Sequence, residues 1–106
     1  MVQRRPLVTT SLVLAETHRL LLFRAGPRAA RRVLDRLEAG TVLTIEFATA
    51  AHHPGALSWL DRLPDQRISY TNAVSFAVME VAGCSTAIGF DRDFLVAGFS
   101  LWQPRE

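Results

Sequence analysis

The sequence predicts an α/β fold, a layered sandwich built on a mainly parallel sheet. Two observations carry this expectation. Short β-prone segments alternate with pairs of helical segments in the order β-α-α-β-α-α-β-β, the pattern that places helices over a parallel sheet. One segment, Thr41-Val42-Leu43-Thr44-Ile45-Glu46-Phe47, alternates strictly, with Leu43, Ile45 and Phe47 on one face and Val42, Thr44 and Glu46 on the other. The 106 residues are read as one domain, and their 49% hydrophobic content is enough for a core.

The elements follow in order. Pro6 to Thr10 has a β-prone apolar centre and reads as a strand. Ser11 is placed to cap a helix running to Ala25, with Gly26 as its left-handed stop and Pro27 opening the next helix. That second helix carries Ala29, Ala30, Val33, Leu34 and Leu37 inward and ends at Gly40. After the alternating strand, Thr49 to Leu63 reads as helix interrupted at Pro54-Gly55, with Leu57, Leu60 and Leu63 as its inward stripe. Ser69 starts a helix that ends at Gly83. Thr86 to Phe90 reads as a buried strand and Phe99 to Trp102 as an edge-like one.

Composition narrows the class. No apolar run approaches the roughly twenty residues a membrane span needs. Thr9, Thr10 and Ser11 break the stretch after Gln3-Arg4-Arg5 that would otherwise resemble a signal peptide. Cys84 is the single cysteine, which excludes an internal disulfide and any paired-cysteine metal or redox motif. These features predict a cytoplasmic protein with no membrane partner. All twelve basic residues are arginine, against ten carboxylates, which permits nucleic acid as a partner. Arg28, Arg32 and Arg36 form a stripe at four-residue spacing, diluted by Asp35 and Glu38, and read as a solvated face.

Three features stand out chemically. Glu16 lies one turn from both Leu12 and Leu20 and so shares the apolar side of its helix. A carboxylate buried there must be paired, metal-bound or protonated; the alternative is a salt bridge to Arg19 or a surface residue that snorkels to solvent. Asp91 and Asp93 follow a strand at the carboxyl edge, where open α/β sheets bind ligands. They can face one way if the chain stays extended, or serve only as a turn cap paired with Arg92. In Ser69-Tyr70-Thr71-Asn72, Ser69 is a helix cap and Asn72 sits three residues on. His52-His53 lacks the spacing of a zinc site and reads as a loop or helix start.

Taken together, Leu7-Val8-Thr9-Thr10-Ser11-Leu12-Val13-Leu14-Ala15-Glu16-Thr17, Ser69-Tyr70-Thr71-Asn72-Ala73-Val74-Ser75-Phe76-Ala77-Val78-Met79 and Ala87-Ile88-Gly89-Phe90-Asp91-Arg92-Asp93-Phe94 resemble the PIN-domain family. The likeness is strongest to the VapC-like ribonuclease toxins of bacterial toxin–antitoxin modules and runs from about Pro6 to Trp102. It implies a three-layer sandwich and a metal-dependent endoribonuclease that hydrolyses RNA phosphodiester bonds. The implied ligands of Mg²⁺ or Mn²⁺ are Glu16 and Asp91, with Asp93 beside them and Ser69 and Thr71 in support. Asn72 stands where the family has a further acidic ligand, and it is counted with Glu16 and Asp91 among the catalytic positions. The family's remaining Asp lies on a first strand, and the resemblance sets this chain as a partial domain, N-terminally incomplete, without that strand–helix unit.

The resemblance also implies that Glu16 and Asp91 share one cleft, that the protein forms a homodimer, and that a cognate antitoxin protein covers the cleft. A neutral Asn72 and a missing Asp imply attenuated activity, since a hard cation is anchored by carboxylate charge. The alternative is a PIN remnant that binds an antitoxin or RNA without cutting. A third reading, an unrelated α/β binding domain with structural acids, does not account for three motifs in order.

Overall fold

The computed structural model describes residues 6–89 and 91–102, and it divides at Ala48 into two compact units. Among the described residues, no helix is long and apolar enough to cross a membrane.

The first unit is a β-α-α-β motif: β1 (Leu7–Thr10), α1 (Ser11–Ala25), α2 (Pro27–Ala39) and β2 (Leu43–Glu46). The two strands pair in parallel, Leu7 opposite Leu43 and Thr10 opposite Glu46. Parallel neighbours require a long crossover, which α1 and α2 supply. The helix cap falls one residue earlier than the sequence suggests. Thr10, extended and almost wholly buried, accepts a bond from the Val13 amide through Oγ1. Ser11 is already helical, and its Oγ accepts from the Ala48 amide at 2.9 Å, tying the residue after β2 to the start of α1. Either hydroxyl in Thr10-Ser11 satisfies the capping rule, so the local pattern alone could not choose between them.

Gly26 is the sole residue between α1 and α2, at φ 90° and ψ 168°. This is not the left-handed helical stop expected but a region open essentially to glycine alone. The conformation redirects the chain within one residue, so that Pro27 opens α2 directly.

The second unit contains α3 (His53–Arg62), α4 (Tyr70–Ala82), β3 (Thr86–Ile88), α5 (Asp93–Val96) and β4 (Ser100–Trp102). The helix expected from Thr49 begins at His53, because Pro54 is favoured in a first turn and not in an interior. Its inward residues are Ala56 and Trp59, with Leu60 and Leu63 half-buried, whereas Leu57 is exposed. Strict three-residue spacing drifts around a helix, and the stripe through 56, 59, 60 and 63 follows its true period. Gly55 lets α3 approach α4: a Cβ there would stand 3.0 Å from the Ala77 Cβ.

Helix α4 is the core of this unit. Every residue from Ala73 to Met79 is buried. Phe76, fully buried, meets Trp59, Phe94 and Phe99 with ring centroids 5.0–5.7 Å apart. Arg62 stacks over Trp59 at 3.7 Å and reaches Glu80 at 3.6 Å.

Strands β3 and β4 are parallel, Thr86 opposite Ser100 and Ile88 opposite Trp102. Two adjacent strands without a helix between them were expected here; α5 is the missing crossover, too short and too Asp-rich to show helical periodicity. Strand β3 is not the buried strand expected, since Thr86 and Ile88 are exposed; Phe90, its expected end, lies outside the described residues, as does the Gln3-Arg4-Arg5 segment.

Two substitutions test this packing. Phe76→Ala should lower unfolding free energy by about 3–5 kcal/mol, the range for a buried aromatic lost to a cavity. Gly26→Ala should cost about 1–3 kcal/mol from backbone strain alone, since no neighbour lies within 4 Å of the added Cβ. Urea titration read by circular dichroism checks both.

Candidate active site

The site residues expected from the sequence lie on both units. Glu16 is in the second turn of α1, in the first unit. It is solvent-exposed, as is Leu20 one turn on, and no residue of α1 is fully buried. The shared helix face is present but its burial is not, so water solvates the carboxylate and the need for a partner lapses. Among the described residues the ion pairs are Arg31–Asp35 and Arg62–Glu80, so the expected pairing of Glu16 with Arg19 is not formed. The arginines of the α2 stripe are exposed.

The second unit brings three of the expected residues together. Ser69, extended at φ −71° and ψ 155°, caps α4 by accepting from the Asn72 amide at 3.1 Å. With its backbone so fixed, Asn72 donates from Nδ2 to Asp91 Oδ2 at 2.8 Å and to Asp93 Oδ2 at 3.1 Å. The chain at Asp91 is not extended. It turns into α5, and Asp91 Oδ1 accepts from the Asp93 amide at 2.9 Å, a side-chain turn of the kind Asp favours. The capping role is therefore real, yet it does not exhaust the pair: both carboxylates still converge on one amide nitrogen. Arg92 makes no ion pair among those described. Thr71 contributes its main-chain carbonyl to Ser75 Oγ at 3.1 Å.

The aromatic core explains why these groups meet. Asn72 and Phe76 are four residues apart on α4 and share a face. Phe76 packs edge-on against Phe94, which follows Asp93 directly. Docking Phe94 one turn below therefore sets the Asp91–Asp93 turn beside Asn72.

The donor set suits a hard divalent cation. Two carboxylate oxygens reach a common point within hydrogen-bond distance, and Mg²⁺ is commonly held by one or two carboxylates with water completing its shell. No group of three or more His, Cys, Asp or Glu side chains with metal-holding geometry occurs among the described residues. Asn72 occupies the convergent point with a donor, where a cation requires acceptors.

One pair was passed over in the sequence. His53, first residue of α3, shares a 3.0 Å hydrogen bond through Nδ1 with the hydroxyl of Tyr70, first residue of α4. Seventeen residues separate them, and neither belongs to a recognisable spacing. His52 instead closes the turn before α3, its Nδ1 accepting from the Thr49 amide at 3.0 Å.

Comparison with known proteins agrees with the motifs. Over 97 residues, 92% of this chain and 73% of the relative, the sequence is 40% identical to the 23S rRNA-specific endonuclease VapC20, found in two strains of Mycobacterium tuberculosis. The crystal structure of Mycobacterium tuberculosis VapC20, described as a sarcin–ricin loop cleaving toxin, superposes with a TM-score of 0.79 at 38% identity. That match covers 92% of this chain and 74% of the other. No family model matches the chain. At this identity and coverage the chain belongs to the VapC family of PIN-domain ribonuclease toxins, as the three motifs implied. The α/β class with parallel strands is likewise borne out.

A carboxylate at position 72 would add a third acidic group to Asp91 and Asp93. Asn72→Asp should raise Mn²⁺ affinity at least about tenfold, since a unit charge about 4 Å from another is worth about 4 kcal/mol before desolvation at an effective dielectric near 20. Without metal the same variant should unfold at lower temperature than the parent, because three carboxylates then converge unscreened. Isothermal titration and thermal melts, each with and without Mn²⁺, check both signs.

Proposed function

We propose that this chain is a cytoplasmic toxin endoribonuclease that cuts 23S ribosomal RNA with the help of Mg²⁺ or Mn²⁺, and that Asn72 attenuates it. The observation carrying this reading is the convergence of Asp91 and Asp93 on a single point beside the start of α4. The substrate follows from the likeness to the 23S rRNA-specific endonuclease of Mycobacterium tuberculosis.

Asp91 and Asp93 are the residues that would hold the cation, with Glu16 as a third carboxylate from α1. When bound, the ion lowers the pKa of a coordinated water and offsets charge on the phosphate oxygens. The chain's own contributions are positional. Ser69 fixes the backbone of Asn72, and Asn72 keeps the two carboxylates aimed at one place. Turning its amide over would present Oδ1 in place of Nδ2, giving an acceptor without charge. Thr71 acts within α4, where its carbonyl accepts from the Ser75 hydroxyl one turn on. A cognate antitoxin protein and a homodimeric assembly belong to the same proposal, since toxins of this family act within toxin–antitoxin modules.

The competing reading, a protein that binds RNA or antitoxin without cutting, draws on Asn72 alone. Cleavage of a sarcin–ricin loop RNA separates the two. The unmodified chain should cut slowly in Mn²⁺ and not at all in EDTA. Glu16→Gln and Asp91→Asn should each reduce the rate at least about a hundredfold, because ligands act as a set and their losses are non-additive. Binding without metal-dependent cutting, unchanged by Asn72→Asp, would establish the non-catalytic reading.

A further inference from the structure

We propose that Tyr70, held by His53, is a stacking platform for an unpaired nucleobase of the RNA that occupies this site. The inference rests on the ribonuclease reading and names a contact for its substrate. Tyr70 is the one tyrosine in the sequence, and 44% of its surface is exposed although it sits at the start of the most buried helix in its unit. An exposed aromatic ring in water is free to rotate, and ordering it on binding costs entropy. Here the cost is already met: the phenolic oxygen is bonded to His53 Nδ1 at 3.0 Å, and the two rings lie 5.8 Å apart, inclined at 48°.

The neighbourhood points to a base and not to a phosphate. Neither salt bridge of the described residues involves this pair, and no ring of the buried aromatic cluster is in contact with it. What it offers is a fixed, solvent-facing π surface with a polar edge. Tyr70 and Asn72 both lie in the first turn of α4 but on different sides of it, so the ligand that reaches both is an extended one such as an RNA strand. Sequence-specific RNA binding usually works this way, with splayed loop bases stacked on aromatic side chains. The histidine's part is positional: it holds the phenol and touches no reacting atom.

The test uses a sarcin–ricin loop hairpin carrying 2-aminopurine in turn at each loop position, in EDTA so that nothing is cut. Wild-type protein should quench one of these probes on binding. Tyr70→Leu, which keeps apolar bulk without a π face, should abolish the quenching and weaken binding roughly 5- to 100-fold, the range for one base–aromatic stack. Its affinity should keep the wild-type dependence on salt, since no phosphate contact is lost. Tyr70→Phe should retain quenching with a small loss, and His53→Ala should fall between Phe and Leu. In Mn²⁺ the Leu variant should show a raised KM with kcat preserved. Wild-type affinity in a folded Tyr70→Leu protein, or a loss in Tyr70→Phe as large as in Tyr70→Leu, overturns the stacking role while leaving the ribonuclease reading intact. Failure of the wild-type protein to bind the hairpin at all overturns both.

Discussion

The packing of Phe76 is the constraint on which the candidate site depends. Its ring is the meeting point of α3, α4, α5 and the residue before β4, through Trp59, Phe94 and Phe99. The two carboxylates of this unit are not on a long, self-supporting element. Asp93 opens a helix of only four residues, far below the length at which a helix is stable alone. Phe94 is what holds that turn in place, by inserting edge-on against Phe76. Aromatic pairs of this geometry add about 0.5–1.5 kcal/mol beyond the area they bury. A modest directional preference thus fixes the orientation of two carboxylates.

That arrangement has an electrostatic consequence. Two like charges brought to one point repel, and in water the turn would spread to separate them. Asn72 prevents this with two hydrogen bonds to ionised acceptors, each stronger than a neutral pair. The Asp93 amide satisfies a further oxygen of Asp91. The turn is therefore held by the same carboxylate oxygens that a cation would use under the proposed function, where metal and amide would compete for them.

Much of this was legible in the sequence. The helix α4 boundaries came from Ser69 and Gly83, and the α1–α2 junction from Gly26-Pro27, because caps and imino acids act locally and leave a local signature. Asp91, Asp93 and Asn72 were singled out by residue type and motif order. What the sequence hid was non-local. The crossover α5 is too short to show a period, and the His53–Tyr70 bond joins residues seventeen apart with no pattern between them. For Glu16 the spacing left burial and exposure both open, because periodicity places a residue on a helix face but does not say whether that face is covered; the exposed alternative is the one found. The burial of Ala56 and Trp59 in preference to Leu57 follows the true helical period, which a strict three-residue spacing of leucines misses.

Asn72 unites these themes, because under the proposed function it serves stability and opposes chemistry. With an acid at this position three carboxylates would converge, and the turn would hold together only when a cation screened them. The neutral amide removes that dependence: it supplies donors where the acid would need a metal, so the turn is bonded without one. On the same proposal, a neutral residue lacks the unit of negative charge that would attract a cation there. Stabilising an active site by satisfying its groups internally commonly costs function in this way. The single atom on which the proposed trade turns is the Nδ2 that bridges Asp91 and Asp93, standing between the two oxygens that would otherwise face a metal.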